Sequence, residues 1–186
     1  MPRTPAELFA HLDRLGLDYR TYDHPPAFTV AEGREVWGGI PGVHCKNLFL
    51  KDAKGALWLV TCAAERRVDL KALPQAIGAA RISFGQPPLL MEVLGIEPGS
   101  VTPFAVINDE ACRVTVILDA WMMAQPLVAY HPLRNDATTV LAPDALRAFL
   151  RSTGHVVREV WLGEDPHPHS SAAIAGTAAV PPGEAP

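Results

Sequence analysis

Lys46 occupies a position that chemistry, and not only solvation, could explain. It lies in the stretch HCKNLFLKD, residues 44–52, and it shares one strand face with Leu48 and Leu50 because strand side chains alternate between two faces. An edge-strand lysine whose ammonium reaches water would give the same pattern. The functional alternative is an ammonium that meets an anion at the sheet face, such as a phosphate or a developing oxyanion.

A second stretch, GIEPGSVTPF at residues 95–104, offers backbone chemistry. Its Pro and Gly content predicts a loop, and a turn alone would explain those residues. A glycine followed by small hydroxyl residues also lets the backbone approach a ligand closely and offers N–H groups to an oxygen atom. The candidate residues of this Gly-x-x-x-Pro loop are Gly99, Ser100, Val101, Thr102 and Pro103.

His131, in YHPLRNDATT, is the third candidate, because a histidine can orient a ligand or transfer a proton near neutral pH. A histidine that ends an apolar strand can equally be a structural residue, and His24 in DHPPAF has a similar turn context. The sequence contains no Gly-x-Ser-x-Gly, phosphate-binding loop, HExxH or dinucleotide motif. A Ser-His-Asp triad stays open, since its members need not be close in sequence.

Length and composition bound the protein class. A chain of 186 residues with 48% hydrophobic residues and a net charge of −4 predicts one compact domain, over residues 1–162, without the strong basic charge of many nucleic-acid-binding proteins. Residues 163–186 are rich in Ala and Pro and predict a flexible tail. No apolar run of membrane-spanning length and no signal-peptide pattern is present, so we expect a cytoplasmic protein. The three cysteines lack metal-binding spacing, and we expect small, buried, unpaired thiols and no metal site.

The elements that must position the candidate residues follow from caps and periodicity. A Thr4–Glu7 capping box predicts a first helix, and a second box at Thr29 and Glu32 predicts a short helix. Apolar runs at 43–51 and 56–63 flank DAKG and predict a hairpin. FAVIND with RVTVILD, and LVAYHP with ATTVLA, predict two further strand pairs, and VDLKALPQAIG predicts a helix broken near Pro74. This order favours an α+β fold with a mixed, mainly antiparallel, barrel-like sheet surrounded by helices.

Taken in order, HPPAFTVAEG, HCKNLFLKD, GIEPGSVTPF and YHPLRNDATT resemble the YbaK and prolyl-tRNA editing domain family, over about residues 4–162. The match looks closest to its free-standing branch, which deacylates alanyl-tRNA(Pro). The resemblance implies that Lys46, Asn47, Gly99 to Pro103 and His131 line a pocket for the tRNA 3′ end. It implies ester hydrolysis without a metal or cofactor, with Lys46, Gly99 and His131 at the reaction and Asn47 and residues 100–103 holding the substrate.

The expected partners are the acceptor end of mischarged tRNA(Pro) and prolyl-tRNA synthetase. Three alternatives stay open: a deacylase for cysteinyl-tRNA(Pro) or another small residue, a hydrolase of free small esters, and a non-catalytic module that binds tRNA or synthetase. Four arginines are candidates for phosphate contacts, although solvated surface would explain each one: Arg34, Arg66, Arg67 and Arg81.

Overall fold

The computed structural model describes residues 1–26 and 36–163. The α-helices with described bounds are α1 (Pro5–Arg14), α2 (Leu73–Ile77), α3 (Pro87–Leu94) and α4 (Pro143–Ser152). Two 3₁₀ helices span Pro103–Asn108 and Met122–Ala124. The strands are β1 (Tyr19–Asp23), β2 (Val43–Asp52), β3 (Leu57–Ala63), β4 (Ile82–Phe84), β5 (Val114–Asp119), β6 (Val128–Tyr130), β7 (Ala137–Leu141) and β8 (Val157–Val160).

The strands form one sheet in the order β1-β7-β6-β2-β3-β5-β8, and β4 pairs with β2 beside that path. The β1–β7, β6–β7, β2–β3 and β2–β4 pairs are antiparallel, whereas β2–β6, β3–β5 and β5–β8 are parallel. The predicted α+β class with a mixed, mainly antiparallel sheet is therefore confirmed. Among the described strands β8 does not pair with β1, so the sheet stays open and the barrel-like curl does not close.

Local sequence explains most helix boundaries. The capping box of α1 is present, with the Thr4 N–H donating to Glu7 Oε2 at 2.7 Å and the Thr4 hydroxyl accepting from the Glu7 N–H at 3.3 Å. Helix α3 ends at Gly95, whose φ of 62° belongs to the left-handed region. Helix α2 begins at Leu73 and carries Pro74 in its first turn, so Pro74 helps to start this helix. Residues 68–72 are not helical, so the predicted helix forms only from the region of the predicted break onward.

The predicted hairpin between FAVIND and RVTVILD is also wrong. Residues Pro103–Asn108 form a 3₁₀ helix, and Thr102 caps it by accepting a hydrogen bond from the Phe104 N–H at 3.3 Å. Proline at the first position has its φ preset for a helix and lacks the N–H that a strand ladder needs. Strand β5 forms as predicted, but it pairs in parallel with β3 and β8.

Both faces of the central strands are buried. On one face, α1, α3, α4 and the first 3₁₀ helix pack on a large apolar cluster that includes Phe49 and Leu59. On the other face, α2 packs on a smaller cluster that includes Leu50 and Val60. Strand β2 lies between β3 on one side and β6 and β4 on the other, so it is not an edge strand of the sheet as a whole. Lys46 nevertheless lies in a stretch of β2 that has no strand partner on the β6 and β4 side among the described residues.

Two predictions fall outside the described residues: the short helix with the Thr29–Glu32 capping box and, apart from Gly163, the C-terminal tail. In the part of the chain that the structure describes, no helix is long and apolar enough to cross a membrane.

Candidate functional site

Strand β2 brings the two predicted polar residues to a break in its pairing. On one side β2 pairs with β3 from Cys45 to Lys51. On the other side it pairs with β6 only at Val43 and His44, and with β4 only from Leu50 to Asp52. Residues 45–48 therefore have no strand partner on that side among the described residues. Lys46 and Asn47 lie in this gap, on opposite faces of the strand.

The loop at 96–102 approaches this gap from the side of the larger cluster. The Ser100 N–H donates to the Glu97 carbonyl at 3.1 Å, with Gly99 at a φ of 92°, which is the arrangement of a type II turn with glycine in its third position. The Asn47 side-chain amide donates to the Val101 carbonyl at 2.8 Å. This bond joins the strand to the loop and leaves the Gly99 and Val101 N–H groups without an acceptor among the described residues.

The rest of the predicted loop divides into a half-buried part and a buried part. Gly99, Ser100 and Val101 are half-buried, whereas Thr102 and Pro103 are buried. The Thr102 hydroxyl is engaged in capping the 3₁₀ helix. The structure thus places Thr102 and Pro103 beneath the loop, where they hold its end, and leaves the first three residues closer to the gap.

His131 follows β6 directly and lies on the same face as Lys46. His44 of β2 is paired in parallel with Ala129 of β6, and Lys46 and His131 are each two residues further along. The His131 Nδ1–H donates to the Ala137 carbonyl at 3.0 Å. Burial lowers the pKa of His131, so the ring is neutral near pH 7 and its Nε2 carries the lone pair.

Two other histidines, His24 and His44, lie near His131, and their sequence context predicted no role in the site. The rings of His24 and His131 lie 6.2 Å apart between centroids, and His24 Nε2 lies 2.9 Å from the Thr138 hydroxyl. His44 stacks on Trp37 at 4.5 Å, and its pKa is lowered by burial and further by His24 and His131. Their signal in the sequence was only the placement of His24 in a turn and of His44 at the start of an apolar run.

The Lys46 ammonium donates to the backbone carbonyl of Arg66. The Arg66 side chain is itself fully buried and forms an ion pair with Asp119, with Nε and Oδ2 2.6 Å apart. The prediction of Arg66 as a phosphate contact is therefore wrong. Arg67 and Arg81 are exposed, whereas Arg34 lies outside the described residues.

The two thiols near the site are poor nucleophiles. Burial raises the pKa of Cys45 to about 12, and its Sγ lies 3.3 Å from Met122 Sδ. Burial likewise raises the pKa of Cys62, the residue opposite Lys46 on β3, to about 11. Both are protonated near pH 7, and a thiolate is the reactive form. Within residues 1–26 and 36–163, no group of three or more His, Cys, Asp or Glu side chains is arranged to hold a metal ion.

A cleft of about 710 Å³ lies elsewhere, between the N-terminus and α3. Its lining includes Arg3, Glu92 and Arg113 and none of the predicted site residues. Of the predicted site residues, Asn47 contacts the loop at Val101, Lys46 is its neighbour on β2, and His131 follows β6, the strand that pairs with the start of β2.

Comparison with known proteins identifies the family. The model of the aminoacyl-tRNA editing domain matches residues 24–149. The prolyl-tRNA editing protein ProX of Acetoanaerobium sticklandii is 34% identical over 156 residues, which cover 83% of this chain and 95% of that protein. The prolyl-tRNA synthetase associated domain-containing protein 1 of Danio rerio is 35% identical over 80% of this chain and 82% of its own length.

A solved structure described as that of a candidate trans-editing enzyme for prolyl-tRNA synthetase has the same fold. Its TM-score is 0.64 at 21% identity, and the match covers 88% of this chain and all of the other. From the matched residues and the identity to ProX, the chain belongs to the aminoacyl-tRNA editing domain family.

Proposed function

We propose that this protein is a trans-editing deacylase that hydrolyses alanine from mischarged tRNA(Pro), acting in the cytoplasm on the acceptor end of the tRNA. Membership of the editing-domain family and the relation to ProX support the general activity. The observation that carries the proposal is the bond between Asn47 and the Val101 carbonyl. It brings Asn47 of β2 against the Gly99 loop, and His131 directly follows β6, the strand that pairs with the start of β2.

The reaction is attack of water on the ester that joins the amino acid to the terminal ribose. Such an ester is already activated, so a positioned water and a polarised carbonyl are sufficient. The half-buried N–H groups of Gly99 and Val101 are the donors we assign to the substrate carbonyl as its oxygen gains negative charge. The Lys46 ammonium is the point charge that meets the terminal phosphate or ribose.

His131 is suited to accept a proton from the attacking water. Its Nδ1–H is held by the Ala137 carbonyl, which leaves Nε2 as the acceptor in the neutral ring. Because burial lowers the pKa of His131 below its ordinary value, the neutral form of the ring predominates at pH 7. We expect the deacylation rate to fall with decreasing pH at a midpoint below the ordinary histidine value of about 6.5.

Alanine is the expected substrate because a synthetase pocket built for proline cannot strongly reject a smaller amino acid by size. Discrimination against a smaller residue is worth about 1–3 kcal/mol in such a pocket. A second pocket that admits alanine and excludes proline would then remove the error after release from the synthetase. Prolyl-tRNA synthetase is therefore the expected functional partner.

The test is single-turnover deacylation of tRNA(Pro) charged separately with alanine, cysteine and proline. We expect selective loss of alanine, and a rate at least about 100-fold lower for Lys46→Ala, the scale of loss when a group that positions the substrate is removed. Lys54→Ala is the matched control, because it removes the same charge from an exposed turn residue. That control should retain the wild-type rate.

Other outcomes would select among the alternatives. Selective loss of cysteine would keep the enzyme class and change the substrate. Binding of tRNA without deacylation would indicate a non-catalytic module. Hydrolysis of a free alanyl ester at the same rate as alanyl-tRNA(Pro) would indicate a hydrolase of small esters that does not require tRNA. Full activity of Lys46→Ala would refute the assigned role of the lysine.

A further inference from the structure

The position of the Lys46 ammonium depends on a short turn after β3. The Arg66 N–H donates to the Ala63 carbonyl at 3.0 Å, and the Ala64 N–H donates to the His44 carbonyl at 2.8 Å. The turn therefore folds back onto β2, and its last carbonyl, that of Arg66, accepts the Lys46 ammonium. An ammonium has three N–H donors, so two remain for a ligand.

The buried side chain of Arg66 holds this turn in place. Arg66 and Asp119 side chains are both 0% exposed, and Arg66 Nε lies 2.6 Å from Asp119 Oδ2. The guanidinium also donates to the Leu162 carbonyl at 3.1 Å. Its central carbon lies 5.9 Å from the ring centre of Trp121 and 5.3 Å from that of Trp161. Contacts from β5 and from the segment after β8 thus fix one arginine.

We propose that the Arg66–Asp119 ion pair is a positioning device for Lys46, which holds the Arg66 carbonyl where it fixes the ammonium in the site. The inference rests on the proposed function, in which Lys46 meets the tRNA end. Arg66 and Asp119 are positioning residues, because they act through the carbonyl and do not contact the substrate.

The free-energy cost of burying two charges indicates that this ion pair has a role other than stability. Removing two charges from water is expensive, and replacing a buried ion pair with uncharged groups is often neutral or stabilising. Stability alone therefore gives little reason to place an arginine here. A planar guanidinium with five donors, in contrast, can bind a carboxylate and a carbonyl at once and fix the backbone that carries it.

The test compares a charge-neutral double variant, Arg66→Gln with Asp119→Asn, with the wild type. Removing both charges avoids a buried unpaired charge, so the fold should persist, which circular dichroism and thermal unfolding will verify. Asp109→Asn is the matched control, since Asp109 is a buried carboxylate with a different partner, His155, at 3.1 Å. Asp119→Asn alone is the second variant.

The first readout is independent of activity. The sequence contains four lysines, so the side-chain ammonium signals in a ¹H–¹⁵N NMR spectrum are few, and Lys46→Ala identifies the one from Lys46. We expect a slowly exchanging Lys46 signal in the wild type and in Asp109→Asn. In the double variant the signal should shift and exchange with solvent at least about tenfold faster. An unchanged signal in the folded double variant would overturn the proposal.

The second readout is the single-turnover rate at saturating protein. We expect the double variant to lose at least about tenfold in rate and Asp109→Asn less than about twofold. A folded double variant with the wild-type rate would also overturn the inference. If the wild type deacylates no substrate, the proposed function fails, while the NMR comparison still decides whether the ion pair positions Lys46.

Discussion

Replacing Gly99 with alanine tests whether the backbone of the loop acts on the substrate. Gly99 has a φ of 92° in the third position of its turn. A left-handed φ costs an L-residue about 1–2 kcal/mol. Gly99→Ala must therefore either keep the turn at that cost or relax to negative φ, which rotates the Pro98–Gly99 peptide and turns the Gly99 N–H away. The first response lowers stability, and the second removes one hydrogen-bond donor.

Gly55→Ala is the matched control. Gly55 has a φ of 89° in the β2–β3 turn, and a Cβ placed on it would meet nothing within 4 Å. It carries the same backbone cost away from the site. We expect Gly55→Ala to lower the free energy of unfolding by about 1–2 kcal/mol and to keep the wild-type deacylation rate.

Urea unfolding and single-turnover deacylation of alanyl-tRNA(Pro) separate these effects. We expect Gly99→Ala to lose about 100-fold in rate, the lower end of the cost of one oxyanion donor, while its stability falls no more than that of Gly55→Ala. A Gly99→Ala variant that deacylates at the wild-type rate would refute the assignment of the loop N–H groups. An equal rate loss in both variants would show that lower stability, and not the loss of the Gly99 N–H donor, reduces the rate.

Three further predictions concern stability and reactivity. Gly85→Ala should lower the free energy of unfolding by about 1–3 kcal/mol, measured by urea unfolding, because its Cβ would lie 2.3 Å from a ring carbon of Phe49. Iodoacetamide at pH 7.5 should label one thiol in the native protein, the exposed Cys112, and three after denaturation, as mass spectrometry will count. Because burial lowers the pKa of His131 in the folded protein, the unfolded chain binds a proton more readily, and stability should fall as pH drops below about 6.5. His131→Asn should reduce that fall in unfolding titrations between pH 7 and pH 5.

The sequence predicted elements whose signals are local. The α1 capping box, the β2–β3 hairpin and the glycine at the end of α3 each depend on residues within a few positions of one another. The predictions that failed depended on contacts between distant residues or on stretches whose pattern fits both a helix and a strand. The stretch FAVIND is apolar enough for a strand, but Pro103 at its start favours a helical turn.

For the proposed site, the sequence predicted candidate residues but not the contacts that hold them. The bond from Asn47 to Val101 joins positions 54 residues apart, and no period or motif encodes it. The burial of Arg66 was equally invisible, because arginine is almost never fully buried unless it is paired, and its partner Asp119 lies 53 residues further along the chain, beyond three intervening helices.

The placement of Lys46 and Asn47 on opposite faces of β2 has a consequence for how such a protein can diverge. A change of one residue in the length of this strand would exchange the two faces, and it would place a charge or an amide in the wrong apolar cluster. The strand can therefore vary by substitution but not by insertion or deletion. The loop at 96–102 is joined to β2 by the Asn47–Val101 bond, and Ile96 and Val101 at its two ends pack on the larger apolar cluster. We therefore expect the turn between these two residues, and not the strand, to tolerate changes of length.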